Sequence, residues 1–175
     1  MTYEEYLAGV DDSHQMTTAR EHIAFLCEIV AGQDGWRILE LGSHAGISTA
    51  ALAIAAPESM VVSVDLCDTV CEADRVAYWA LLELENIQPV QADAGRFLRD
   101  CQLGLEPWDM IFHDACHGDA VLPEYLTAAG LCDTLAIHDW EQLSPTSQSA
   151  IAKRFGRTMV LEPDARGRQM FVGVK

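Results

Sequence analysis

The sequence lacks long apolar runs, is poor in basic residues and is without the paired short cysteine spacings of a zinc knuckle, and each shortage removes a class of protein. No stretch approaches the roughly 20 consecutive apolar residues of a membrane-spanning helix. The N-terminus, MTYEEYLAGVDD, is acidic where a secretory leader is basic and then apolar. The chain is therefore expected to be cytoplasmic, with no membrane partner. Lys and Arg number 11 against 27 Asp and Glu, for a net charge of −16. Nucleic-acid backbones are held by clustered cations, so no nucleic-acid partner is expected. The six cysteines (Cys27, Cys67, Cys71, Cys101, Cys116, Cys132) are scattered without zinc-knuckle spacing and read as free thiols. Internal repeats, low-complexity tracts and linkers are also missing. What is present is 175 residues, 50% of them apolar, enough for one well-buried domain over 1–175 with 1–17 as an N-terminal cap.

The few basic residues are unevenly placed. Six of them, Lys153, Arg154, Arg157, Arg166, Arg168 and Lys175, face only Glu162 and Asp164, so the last 23 residues carry +4 and the remainder −20. This reads either as a solvated surface or as a local anion-facing edge near Arg166 and Arg168.

Short β-rich apolar runs alternate with helical patterns, which predicts an α/β fold on a parallel sheet. Thr18 and Glu21 have capping-box spacing ahead of Ile23, Leu26, Cys27 and Val30, a helix ending near Gly32. RILEL (Arg37 to Leu41) predicts a first strand, SMVVSVDL a second ending at Asp65, QPVQAD a third ending at Asp93, DMIFHD a fourth and TLAIHD a fifth. Helices are predicted near Ser48 to Ala56, Ala73 to Glu85, Gly95 to Leu103 and Val121 to Ala129. Another starts at Ser144, with Pro145 at the first helical position. RTMVLE and RQMFVGVK are joined by a link too short for a parallel crossover, so they should pair antiparallel.

Ligands of open α/β sheets bind beyond the carboxyl ends of the strands. LELGSHAGIST places Glu40 at such an end, Gly42, Ser43 and Gly46 in the turn, and Ser48 at the opening of the next helix. Glycines let a ligand approach backbone N–H groups, and a helix N-terminus favours an anion such as a carboxylate. Asp65 follows Gly46 by 19 residues, where a carboxylate can accept hydrogen bonds from ribose hydroxyls. Asp93 is placed to receive the exocyclic amine of a purine.

ELGSHAGIS resembles the E-x-G-x-x-x-G-x-S motif of class I S-adenosylmethionine-dependent methyltransferases, of the catechol and macrocin types of small-molecule O-methyltransferase. The resemblance covers roughly Thr18 to Lys175. It implies a Rossmann-like, doubly wound, mostly parallel seven-stranded sheet with an antiparallel C-terminal hairpin. It also implies that Glu40, Gly42 and Ser48 surround the methionine part of S-adenosylmethionine, with Ser43 and Gly46 in the same turn and Asp114 closing the groove. Asp65 would hold the ribose and Asp93 the adenine.

A sulfonium methyl is already activated, so catalysis needs in-line alignment and a deprotonated acceptor hydroxyl. Asp114 follows the fourth strand, and His138 with Asp139 the fifth. These strand ends lie close enough for Asp114 and Asp139 to share a divalent cation, magnesium or manganese, with His138 as a further ligand or as a group orienting Asp139. His117 falls where the resemblance implies a general base, a role suited to imidazole. Two positions depart from the family pattern: Trp140 stands where the catechol type has a metal-binding asparagine, and Gly118-Asp119 where the macrocin type has an aromatic residue. A cation between Asp114 and Asp139, or His117 working without one, both remain open. His113 reads as a strand residue facing a helix, His44 as a partly exposed loop residue and Cys116 as a small space-filler.

The expected partner is a small hydroxyl-bearing substrate, and the short chain points to a homodimer that completes the substrate pocket. Two rival readings stand: a metal-dependent hydrolase or oxygenase built on the His/Asp cluster, which leaves the glycine loop without a purpose, and a non-catalytic S-adenosylmethionine-binding protein.

Overall fold

The computed structural model describes residues 1–10, 18–66, 72–103 and 107–175. Cys67, Cys71 and residues 11–17 of the expected N-terminal cap lie outside them. Seven strands form one sheet: β1 (Arg37–Leu41), β2 (Met60–Asp65), β3 (Ile87–Gln91), β4 (Trp108–His113), β5 (Cys132–His138), β6 (Arg157–Leu161) and β7 (Met170–Val174). Their order is β3-β2-β1-β4-β5-β7-β6. The first five are parallel, and β7 runs antiparallel to both β5 and β6. All seven coincide with the runs expected from sequence, as does the antiparallel hairpin.

Among the described residues seven α-helices accompany the sheet: α1 (Tyr3–Gly9), α2 (Arg20–Val30), α3 (Ile47–Ala55), α4 (Glu72–Leu81), α5 (Ala94–Cys101), α6 (Leu122–Leu131) and α7 (Pro145–Ala152). Side chains alternate across a strand, so β1 serves both faces. Ile38 packs with Leu26 and Val30 of α2 and Leu52 of α3, while Leu39 and Leu41 pack with Leu98 of α5 and Tyr125 of α6. Glu40 has the parity of Ile38 and therefore faces α3. The α1 residues Tyr6 and Leu7 cover Ile23 of α2 and Ala50 of α3 as an outer layer. Among the described residues no helix is long and apolar enough to cross a membrane.

The chain moves outward from β1 to β3 and then returns to place β4 on the other side of β1. The loops after β1 and β4 therefore diverge and leave a crevice above the strand ends, the ligand position of a doubly wound sheet.

Three local expectations are corrected. The capping box expected at Thr18 and Glu21 does not form: α2 is capped by Ala19 without a side-chain bond, and a capping box occurs instead at Thr2 and Glu5 ahead of α1. The third strand ends at Gln91 rather than Asp93, because the Asp93 side chain accepts from Arg96 N–H and caps α5. Cys116 fills no space; it is an exposed free thiol, whereas Cys27, Cys101 and Cys132 are buried free thiols as expected.

Candidate active site

The turn after β1 is shaped by two glycines that other residues cannot replace. Gly42 has φ +89°, and a Cβ on it would lie 2.4 Å from Cα of Ala115. Its N–H donates to Val64 O at 2.8 Å, so the turn sits between the end of β2 and the loop after β4. Gly46 caps α3 with φ 79°, and Trp79 of α4 packs on it, with Nε1 donating to Gly46 O at 2.9 Å. Glycine alone enters this left-handed region without steric cost.

The side chains of the turn divide into two sets. Glu40, directed toward α3 by strand parity, is fully buried and accepts hydrogen bonds from the hydroxyls of Ser48 and Thr49. Burial pushes its carboxyl up to about 7 against the opposing effect of those bonds. Ser43 is also buried and accepts from the Arg75 guanidinium. Glu40, Ser43 and Ser48 thus tie the loop to α3 and α4. Asp65 is held differently: its Oδ2 accepts from His44 N–H at 2.8 Å and lies 3.5 Å from Arg75 Nη1. His44 takes φ 44° to direct its N–H there. Its role is carried by the backbone, which the reading as a loop residue did not foresee.

A cavity of about 290 Å3 opens over this turn. Gly42, Asp65, Asp93, Asp114, His117, His138 and Asp139 line it, whereas Glu40, Ser43, Gly46 and Ser48 do not. The strand ends therefore bring together the two acids expected at the nucleoside and the whole expected transfer cluster, but not every residue of the glycine motif.

The cluster itself is tight. His138 Nδ1 lies 2.9 Å from Asp114 Oδ1 and 3.4 Å from Asp139 Oδ1, and His117 Nε2 lies 3.4 Å from Asp139 Oδ2 and 3.9 Å from Asp114 Oδ1. Asp139 has the left-handed backbone conformation, φ 54°, which turns it back from the strand axis. Burial lowers the affinity of His138 for a proton, yet its bond to Asp114 and the charges of Asp114 and Asp139 outweigh this and hold its pKa above the ordinary value. Burial raises the Asp139 carboxyl despite the two histidines beside it. Asp114, His138 and Asp139 each offer a donor atom within 4.8 Å of the others, and Asp139 Oδ1 is buried without a hydrogen-bond partner among the described residues. Two carboxylates and an imidazole at this spacing fit a divalent cation. His113 stays out of the cluster: it is fully buried, faces α6 as expected, and lies 3.6 Å from Glu124 and 4.6 Å, ring to ring, from Tyr125.

A second cavity, of about 810 Å3, lies between the start of α2 and the link from β6 to β7. Three side chains connect it to the first. Thr18 Oγ1 donates to Asp114 Oδ2 at 2.6 Å, the His22 ring meets the His138 ring edge-on at 5.7 Å, and Arg168 lines both cavities. The sequence reading missed Thr18 and His22 as site residues. Thr18 has the spacing of a helix cap, and His22 lies inside a helical pattern with no motif around it.

The model of the family described as "Methyltransferase domain" matches residues 39–140. The structure resembles an O-methyltransferase from Bacillus cereus in complex with S-adenosylhomocysteine, with TM-score 0.70, 18% identity, and coverage of 99% of this chain and 90% of that one. A putative O-methyltransferase from Klebsiella pneumoniae gives TM-score 0.70 at 16% identity over 99% and 89% of the two chains. An rRNA methylase from Streptococcus thermophilus gives 0.61 at 16% identity over 91% and 98%. No curated protein matches. The family match spans β1 to the start of the loop after β5, which holds the glycine turn and every strand end that lines the smaller cavity. The chain therefore belongs to the methyltransferase-domain family and has the Rossmann-like fold of class I S-adenosylmethionine-dependent methyltransferases.

Proposed function

We propose that this methyltransferase transfers the methyl group of S-adenosylmethionine to a hydroxyl of a small molecule. The observation that carries this reading is the continuity of one cavity from Asp65 to the cluster of Asp114, His117, His138 and Asp139. Asp65, already oriented by His44 N–H, receives the ribose hydroxyls, and the backbone of the Gly42 turn receives the methionine part. Asp93, whose second carboxylate oxygen is left over from capping α5, receives the adenine amine. A small acceptor agrees with the net charge of −16, which repels nucleic acid, and with a neighbouring cavity of ligand size.

The chemistry at the cluster is proton removal and alignment. The acceptor oxygen attacks the methyl carbon as the carbon–sulfur bond breaks, and S-adenosylhomocysteine leaves as a neutral thioether. His117 Nε2 takes the hydroxyl proton, and the Asp139 carboxylate at 3.4 Å stabilises the imidazolium that results. Asp114, fixed by Thr18 and His138, holds the acceptor side of the cluster in place. A magnesium or manganese ion held by Asp114, His138 and Asp139 would lower the hydroxyl pKa.

Calorimetric titration with S-adenosylhomocysteine tests the reading. Micromolar binding is expected, and no heat with folded protein overturns it. Methyl transfer assayed before and after chelation then decides the cation: undiminished activity removes it and leaves proton removal to His117.

A further inference from the structure

The larger cavity has a chemistry of its own. Its lining combines Arg20, Arg166 and Arg168 with His22, Phe25 and Leu161, and it also contains Glu21, Glu162 and Asp164. Not all these charges face a ligand equally. Asp164 accepts from the backbone N–H of Arg166 and of Arg168, each at 2.8 Å, and pairs with the Arg168 guanidinium at 2.7 and 2.8 Å. These bonds outweigh the effect of burial and hold its carboxyl at about 2. Its negative charge is spent on fixing the link. Arg166, two residues further on, is exposed at the rim.

The inner end differs. His22 is 3% exposed, and its Nε2 lies 3.3 Å from Glu162 O. A carbonyl only accepts, so Nε2 carries the hydrogen and Nδ1 is left as an acceptor. That Nδ1 is buried and has no partner among the described residues. It belongs to the ring that meets His138 of the transfer cluster at 5.7 Å. A buried acceptor without a donor costs free energy, so the inner end of the cavity is polar where it abuts the transfer cluster.

We infer that the larger cavity binds the methyl acceptor and that the acceptor is a hydroxy acid, its carboxylate at the Arg166 rim and its hydroxyl directed past His22 toward His117. This rests on the proposed methyl transfer to a small-molecule hydroxyl. The +4 charge of residues 153–175 against −20 elsewhere has the same direction: an anion is repelled by most of this surface and drawn to the edge that carries Arg166 and Arg168.

Matched probes test the inference: the three hydroxybenzoate isomers and the corresponding neutral hydroxybenzamides, titrated with and without saturating S-adenosylhomocysteine. At least one hydroxybenzoate is expected to bind about tenfold tighter than its amide, the value of one charge-assisted hydrogen bond. Added salt should shrink that preference. Arg166→Ala should abolish it, with Arg166→Lys restoring part, while S-adenosylhomocysteine affinity stays unchanged in both variants. Acids and amides that bind equally, or a preference that survives Arg166→Ala, overturn the hydroxy-acid inference and leave methyl transfer standing if S-adenosylhomocysteine binds. Failure of S-adenosylhomocysteine to bind instead overturns the methyl-transfer reading, whatever the probes do. The absence of binding by any of the six probes overturns the inference as well.

Discussion

The two cavities that share Arg168 in their linings are built in opposite ways. The smaller is made by consecutive strand ends: β1, β2, β4 and β5 each deliver one short polar segment to the same edge of the sheet, so parallel register alone brings the groups together. The larger is made by elements far apart in the chain, with His22 meeting Glu162 across 140 positions and Thr18 meeting Asp114 across 96. The first is held by backbone geometry, a Gly42 that no other residue can replace and an Asp65 bonded to a main-chain N–H. The second is held by side chains. Cofactor binding should therefore tolerate little variation, while the proposed acceptor pocket can change without disturbing the sheet.

Separating the two halves by substitution is the sharpest test of that contrast. His117→Gln removes the proposed proton acceptor and should lower kcat by about 10²- to 10⁴-fold, the usual contribution of a general base. Affinity for S-adenosylhomocysteine should be unchanged in titration. Equal losses in both measurements would mean that the halves are not separable. Asp65→Ala does the reverse. Losing the carboxylate proposed to accept from two ribose hydroxyls should weaken S-adenosylhomocysteine by at least about a hundredfold, at roughly 1.5 to 3 kcal/mol for each hydrogen bond to a charged group. The hydroxybenzoate preference should persist when it is measured without cofactor.

Glu40 probes what supports the smaller cavity. Its folded-state pKa of about 7 lies above the ordinary carboxyl value of 4.5, so folding favours the protonated form. Its stabilising contribution is complete below pH 4.5, declines as pH rises and is lost above pH 7. Relative to Glu40→Gln, the natural protein should lose about 3.5 kcal/mol at most across that window, because each tenfold difference in proton affinity between the folded and unfolded chains is worth about 1.4 kcal/mol. Denaturant unfolding of both proteins at pH 4.5, 6 and 8 checks this. A difference that stays constant with pH would mean that Glu40 binds its proton equally in the folded and unfolded chains and that its hydroxyl partners compensate its burial.

The same contrast explains how much the sequence revealed. Strands buried on both faces, such as Ile38 to Leu41 and Val61 to Val64, are nearly continuous apolar runs, and the acids that end them stand out. The smaller cavity could therefore be assembled from strand order alone. Even there, strand parity sends Glu40 toward α3, away from the groove its motif suggests, and the backbone of His44 rather than its ring does the positioning. Arg75 gave no signal, because an arginine in an amphipathic helix ordinarily reaches solvent; here it is 1% exposed against Ser43 and Asp65. Of the larger cavity, the sequence marked only the edge near Arg166 and Arg168, as one of two readings of the basic tail. No local pattern records that α2 lies beside the link from β6 to β7.

Thr18 is the smallest and most discriminating case. A threonine three residues before a glutamate has the spacing of a helix cap, and a cap is a property of the helix alone. In the fold its hydroxyl donates instead to Asp114 Oδ2 at 2.6 Å, while His138 Nδ1 lies 2.9 Å from the other oxygen of the same carboxylate. The carboxylate is thus fixed from both sides, once by each cavity. Thr18→Val keeps the shape and removes the donor. If Thr18 positions Asp114, methyl transfer should fall about fivefold, the value of one modest hydrogen bond near 1 kcal/mol, and Thr18→Ser should restore most of it. S-adenosylhomocysteine affinity should not change. If the bond from Thr18 to Asp114 served only the fold, Thr18→Val would lower the unfolding midpoint without altering kcat at temperatures where the protein remains folded. The split between kcat and stability therefore decides whether the N-terminal segment belongs to the transfer centre or only to the helix behind it.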